Sequence, residues 1–85
     1  METITGRILI TGALGQIGTE LSTALAEIYG KDKVIMSDVR EASDVPLTFE
    51  KLDVLDLEAF RSIIDKHEVK VVYHLASLLS GTSEK

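Results

Sequence analysis

Apolar residues fall along this chain in blocks that alternate between two periods. Residues 7–11 are a short β-branched and leucine-rich run, the pattern of a parallel strand buried on both faces. Beyond it Ile17, Leu21, Ala24, Leu25 and Ile28 recur at helical spacing. They predict a helix over residues 16–29 with Gly30 as its C-terminal cap. Residues 33–37 read as a second strand, closed by Asp38. Residues 39–47 hold charges, Ser43 and the only proline, Pro46, and read as a loop. Residues 48–53 suggest a short third strand. Asp56 stands where an N-cap belongs, before a helix whose Leu57, Phe60, Ile63, Ile64 and His67 share one face. Residues 69–76 are nearly all apolar, again the pattern of a strand covered on both sides. The tail, residues 77–85, turns hydroxyl-rich.

The junction between the first strand and the first helix carries Gly12, Gly15 and Gly18, each three residues from the next. Strand, glycine turn and helix together are the context in which a glycine pattern marks a phosphate site. Glycine lets the backbone turn and lets a pyrophosphate approach the main chain. The helix N-terminus offers unpaired N–H groups and the positive end of its dipole. Asp38 lies 20 residues past Gly18, at the end of the second strand, where an acid accepts hydrogen bonds from an adenosine ribose. A carboxylate there repels a 2′-phosphate and favours NAD over NADP. Arg40 pulls the other way, because a basic residue just beyond this strand can hold a 2′-phosphate.

Strands alternating with helices predict an α/β fold with a parallel sheet and right-handed crossovers. A half Rossmann sheet of this kind has the spatial order 3-2-1-4, with ligands at the carboxyl ends of the strands near the switch between strands 1 and 4. That rule gathers Gly12, Gly15, Gly18, Asp38, Asp53, Ala76 and Ser77 along one rim, although they are scattered in sequence.

Thr11-Gly12-x-x-Gly15-x-x-Gly18, Ser37-Asp38-Val39-Arg40, Leu52-Asp53-Val54 and His74-Leu75-Ala76-Ser77 together resemble the extended short-chain dehydrogenase/reductase superfamily. Within it the chain looks most like the amino-terminal part of bacterial L-threonine 3-dehydrogenases of the epimerase-like type. The run Tyr73-His74-Leu75-Ala76-Ser77-Leu78-Leu79-Ser80 is the most telling match below superfamily level. The resemblance implies an NAD site formed by Gly12, Leu14, Gly15, Gln16, Ile17, Gly18, Asp38, Val39, Arg40, Asp53, Val54, Leu75 and Ala76. In it Asp53 meets the adenine amino group with the Val54 backbone beside it, and Leu75 and Ala76 line the pyrophosphate and ribose side. Ser80 falls where these enzymes contact the substrate or the nicotinamide end. The implied reaction is oxidation of the L-threonine hydroxyl to 2-amino-3-ketobutyrate with hydride transfer to NAD⁺. Sugar-nucleotide epimerases and dehydratases share the same amino-terminal half, and a non-catalytic dinucleotide-binding module is the alternative from another class.

The hydride transfer of that superfamily uses a tyrosine acid/base with a lysine four residues on. Tyr29 and Lys33 have this spacing but end the first helix and open the second strand. They therefore lie at the amino end of the sheet, a strand length of roughly 15–20 Å from the rim. They read as a helix-end tyrosine and a surface lysine. Tyr73 has Ser77 four residues on and sits inside an apolar strand. The expectation is a dinucleotide-binding half-domain over residues 1–85, the NAD-binding portion of an oxidoreductase, with no catalytic residue of its own.

Composition narrows the classes further. Eighty-five residues make one small domain at most, with a marginal core. A net charge of −5 without a basic cluster argues against binding nucleic acid or an anionic membrane. The absence of cysteine excludes disulfides, thiol chemistry and cysteine-based zinc sites, and fits a reducing cytoplasm. No apolar run approaches the roughly 20 residues of a membrane span, and residues 1–7 lack the basic and apolar regions of a signal peptide.

The remaining candidates have plain readings. His67 reads as a solvent-facing helix cap that suits the dipole, and His74 as a satisfied core histidine. Asp53, Asp56 and Glu58 form an acidic cluster explained by one adenine contact and one N-cap, so no metal site is expected. Glu41 and Asp44 read as solvated loop charges. In the order 3-2-1-4 the fourth strand is an edge, and its apolar Val71, Val72, Tyr73 and Leu75 predict self-association through it.

Overall fold

The computed structural model describes residues 6–42 and 44–75. Strand β1 (Arg7–Thr11) leads into helix α1 (Gln16–Tyr29), a one-turn 3-10 segment (Lys31–Lys33) and β2 (Val34–Asp38). Then come β3 (Thr48–Lys51), α2 (Leu57–His67) and β4 (Val69–His74). The strands form one sheet in the order β3-β2-β1-β4, with every pairing parallel. This is the expected half Rossmann sheet. The register sets Ile10 beside Met36 on one flank and Tyr73 on the other.

Period-two alternation divides the sheet's apolar residues between two cores. Ile8, Ile10, Val34 and Met36 pack with Ala13 and Leu25 on the α1 face. Leu9 and Ile35 pack with Leu52, Ile63 and Val69 on the α2 face. Burial on both faces explains why β1 and β2 read as continuous apolar runs. Each such side chain contributes about 1.5–3 kcal/mol by leaving water.

The face of α1 that meets the sheet centres on Gly18, Ser22 and Leu25, so Leu21 and Leu25 of the expected stripe pack on the core while the rest of it turns away. Ile17 and Ile28 are exposed instead. The cause is steric: small residues at positions 18 and 22 allow the helix to sit close, and Ser22 Oγ satisfies itself on the Gly18 carbonyl at 2.7 Å. Gly30 closes α1 as expected, with φ 109° and its N–H bonded to the Ala26 carbonyl. Helix α2 starts at Asp56, whose side chain accepts from the Ala59 N–H, as a capping aspartate does. It ends through Glu68 in the left-handed conformation, φ 55°. Leu57 in its first turn is exposed, so the buried face of α2 centres on Ile63.

Three strand boundaries differ from the sequence reading. Lys33 belongs to the 3-10 turn, β3 stops at Lys51, and β4 stops at His74. Expected burial of β4 on both faces also fails: Val72 and Tyr73 are each 38% exposed. Among the described residues β4 pairs only with β1, so its outer edge lacks the neighbour that an apolar strand normally has. No helix among the described residues is long and apolar enough to cross a membrane.

Candidate functional site

The carboxyl end of β1 runs straight into a tight turn. Gly12 adopts φ 68°, a conformation that side-chain-bearing residues rarely take, and the Gly15 N–H reaches back to its carbonyl at 3.4 Å. The Ala13 N–H bonds the Ser37 carbonyl at 2.9 Å, which fastens the turn to β2. Thr19 Oγ1 donates to the Ala13 carbonyl at 3.1 Å and fastens it to α1. Gly18 serves a different purpose from Gly12. A Cβ there would lie 2.5 Å from the Gly12 carbonyl oxygen and 2.6 Å from Ala13 Cα, so the helix can approach the turn only without a side chain.

The two helix N-termini contrast. Asp56 caps α2 with its carboxylate. The N-cap of α1 is Gly15, with no side-chain cap and no acidic residue in the first turn. The first intrahelical bond runs from the Thr19 N–H to the Gly15 carbonyl at 2.9 Å. The N–H groups before it have the geometry and dipole that attract an anion.

Asp38 ends β2 facing this turn and is 6% exposed. Its Oδ2 accepts from the Leu14 N–H at 3.1 Å and from Arg40 Nη2 at 3.2 Å. Its Oδ1 accepts from the Arg40 N–H at 3.2 Å and from Arg40 Nε at 3.1 Å. Burial pushes this carboxyl up. The Arg40 side-chain bonds, the backbone N–H groups of Arg40 and Leu14, and the Arg40 charge together outweigh burial and hold it below the ordinary aspartate value. Asp38 is therefore an ionised acceptor tied directly to the glycine turn.

The exit from β3 lies alongside. The Leu52 N–H bonds the Asp38 carbonyl at 2.8 Å, which brings Asp53 and Val54 to the same rim. Asp53 is exposed and shapes its own turn, with Oδ1 accepting from the Leu55 N–H at 3.0 Å. Val39 is exposed and Val54 half-buried. Gln16 and Ile17 stand exposed on the first turn of α1, while Leu14 and Leu75 are half-buried against the first core. The structure thus gathers the glycine turn, Asp38, Val39, Arg40, Asp53, Val54 and Leu75 at the carboxyl ends of the strands. Ala76, Ser77 and Ser80 lie outside the described residues.

Two histidine readings are corrected. His67 is no solvent-facing cap: its Nε2 is 2.7 Å from Glu50 Oε2, which also receives Lys66 Nζ at 3.0 Å. An ionised carboxylate only accepts, so His67 Nε2 carries the hydrogen. Hydrogen bonding to His67 outweighs burial and, with Lys66, lowers the Glu50 carboxyl below its usual range. His74 is not a core residue either. It is exposed, with Nδ1 3.0 Å from Thr11 Oγ1, and so ties the end of β4 to the end of β1. Tyr29 and Lys33 lie at the opposite end of the sheet from the glycine turn, at the close of α1 and the start of β2. No group of three histidine, aspartate or glutamate residues among the described residues could hold a metal ion.

Sequence reasoning missed the Asp38–Arg40 fork and the Leu14–Asp38 bond. The Asp-x-Arg spacing at a strand end was the available signal for the first. The second is a tertiary contact across 24 residues with no sequence signature.

The profile of the NAD dependent epimerase/dehydratase family matches residues 8–85. An uncharacterized epimerase/dehydratase of Staphylococcus haemolyticus is 49% identical over 83 residues, covering 93% of this chain and 26% of that protein. Among solved structures, a GalE-like L-threonine dehydrogenase from Cupriavidus necator, in its holo form, superposes with a TM-score of 0.83 at 46% identity. That match covers 93% of this chain and 26% of the other. A monomeric L-threonine 3-dehydrogenase from a metagenome, in apo form, gives a TM-score of 0.77 at 51% identity over 80% of this chain and 22% of that one. The chain spans about a quarter of the length of the curated relatives it matches.

Proposed function

The chain belongs to the NAD dependent epimerase/dehydratase family, and from that premise we propose that it forms the NAD-binding part of an oxidoreductase acting on the hydroxyl of L-threonine. One observation carries the cofactor reading: an uncapped helix N-terminus and an ionised, buried carboxylate sit side by side, joined by the Leu14–Asp38 bond. The two groups suit the two ends of a nucleotide, a pyrophosphate and a ribose diol.

The residue roles are those that the family resemblance implies, and the placement of Asp38 beside the glycine turn supports them. Gly12, Leu14, Gly15, Gln16, Ile17 and Gly18 surround the pyrophosphate. Asp38 accepts from the ribose hydroxyls, flanked by Val39 and Arg40. By the resemblance Asp53 and Val54 would border the adenine, Leu75 and Ala76 would line the pyrophosphate and ribose side, and Ser80 would meet the substrate or the nicotinamide end. NAD held by these residues would supply the hydride acceptor for oxidation of the hydroxyl-bearing carbon. What these residues do is bind, orient and set cofactor choice. The proton transfer falls to residues outside this set, because Tyr29 and Lys33 are at the wrong end of the sheet. The 1–85 segment then acts as one dinucleotide-binding half-domain of a cytoplasmic enzyme, with NAD and a small-molecule substrate as its partners.

The threonine assignment rests on likeness to structures named L-threonine dehydrogenases at 44–51% identity. A second reading, a sugar-nucleotide epimerase or dehydratase, draws on the staphylococcal relatives at 47–49% identity, which are named only as uncharacterized epimerase/dehydratases. Incubation of an oxidoreductase that carries this chain as its NAD-binding part with NAD⁺ and either L-threonine or a nucleotide-linked hexose separates them. The expected result is NADH formation with L-threonine. Conversion of the nucleotide sugar without any NADH from L-threonine overturns the threonine assignment and establishes the second reading.

A further inference from the structure

Asp38 has no acceptor position left for a ribose. A carboxylate offers about four lone-pair sites. Here the four are taken by the Leu14 N–H, the Arg40 N–H, Arg40 Nε and Arg40 Nη2. These donors are not equivalent. The two backbone N–H groups belong to the glycine turn and to a two-residue turn after β2, and are fixed by the chain path. The two guanidinium donors sit at the end of a side chain that is 61% exposed, with nothing else in the described structure hydrogen-bonded to it. They contact one oxygen each: Nε meets Oδ1 and Nη2 meets Oδ2.

We propose that Arg40 is a built-in competitor for the ribose, a side-chain fork that occupies the carboxylate positions a vicinal diol takes and swings out when the diol binds. The inference rests on the reading of Asp38 as the ribose acceptor. When the fork leaves, one site opens on each oxygen, and the 2′- and 3′-hydroxyls supply one donor each. The exchange is one for one. The Leu14 and Arg40 backbone bonds stay in place and keep the carboxylate aimed throughout. The Arg40–Asp38 contacts also keep Asp38 ionised before ligand arrives. Arg40 therefore sets specificity: a ligand with both hydroxyls replaces the fork fully, whereas one with a single hydroxyl leaves a carboxylate site unfilled.

The test is a calorimetric titration of the full chain with 5′-AMP, 2′-deoxy-5′-AMP and NAD, in the wild type and in Arg40→Ala. Loss of an exposed competitor tightens 5′-AMP binding about threefold, the scale of a surface ion pair. The gain for 2′-deoxy-5′-AMP is smaller, because that ligand does not refill both sites. Arg40→Lys retains charge without the fork and gives an intermediate gain. Equal weakening of both nucleotides in Arg40→Ala overturns the proposal, since it makes the guanidinium a direct ligand contact. So does an unchanged affinity for both. Binding of NAD by the wild type in either of those cases leaves the cofactor site standing and removes only the competitor role. A wild type that binds neither NAD nor 5′-AMP overturns the cofactor reading itself, and this proposal with it.

Discussion

Replacing Gly18 with alanine adds a single methyl group at the point where α1 meets the glycine turn. The added carbon lies 2.5 Å from the Gly12 carbonyl oxygen, 2.6 Å from Ala13 Cα and 2.9 Å from the Ala13 carbonyl carbon. All three neighbours are backbone, so no side chain can rotate away. Overpacking costs about 1–3 kcal/mol, and three backbone contacts put this site near the top of that range. Alanine returns about 1 kcal/mol through its better helix propensity. The net loss is about 2 kcal/mol, against a total stability of about 4–13 kcal/mol for a chain of this length. At 4–8 °C per kcal/mol, the melting temperature falls by about 8–16 °C. The strain is relieved by moving the turn, which also pulls on the Ala13–Ser37 and Leu14–Asp38 bonds, so NAD affinity drops as well. Urea and thermal denaturation by circular dichroism give the stability, and titration gives the affinity. Gly30→Ala is the control. Its φ of 109° makes alanine strained by about 1–3 kcal/mol, yet it lies at the far end of α1, so NAD binding stays at the parent level. A Gly18→Ala variant that melts at or above the parent temperature refutes the close-packing argument.

Two further predictions come from the sheet edge and from the Glu50 cluster. The exposed apolar edge of β4 associates with a second copy of the chain, and Val72→Lys suppresses that association; light scattering that shows a strictly monomeric parent over a concentration series contradicts this. The Glu50 carboxyl is lowered in the folded state, so its contribution is complete above the unfolded value of about 4.3 and is lost as pH falls through the folded value. Thermal melts should therefore decline more steeply in the parent than in Glu50→Gln below about pH 4.3, by less than about 1 kcal/mol for a pair at the surface. Parallel declines show that His67 and Lys66 contribute nothing through Glu50.

Strand order, helix spans and the rim of candidate residues were legible because each rests on a local signal. Both helices carry end signals, Gly30 for α1 and Asp56 for α2, and β1 and β2 are unbroken apolar runs. What was not legible depends on contacts between distant residues. The face of α1 is set by the closeness of Gly18 to the turn, so hydrophobic spacing placed Leu21 and Leu25 correctly but not Ile17 and Ile28. His67 found Glu50 across 17 residues, and no pattern near a helix end could reveal that partner. The β4 reading failed for a different reason. Apolarity alone does not mean cover: Val72 and Tyr73 face solvent because no strand follows β4 among the described residues. At the candidate site, the positions of Gly12 and Asp38 were readable from spacing, but the saturation of the Asp38 carboxylate by Leu14 and Arg40 was visible only in three dimensions.

Competition between NAD and NADP reads out directly whether Asp38 accepts hydrogen bonds from an unmodified ribose. Calorimetric titration of the parent chain should give tighter binding of NAD by about tenfold or more, the scale of a hydrogen bond to a charged group. In Asp38→Ala that preference should disappear, since the carboxylate no longer repels a 2′-phosphate and Arg40 is released to hold one. Tighter binding of NADP by the parent, or an Asp38→Ala variant that discriminates as the parent does, rules out Asp38 as the ribose acceptor.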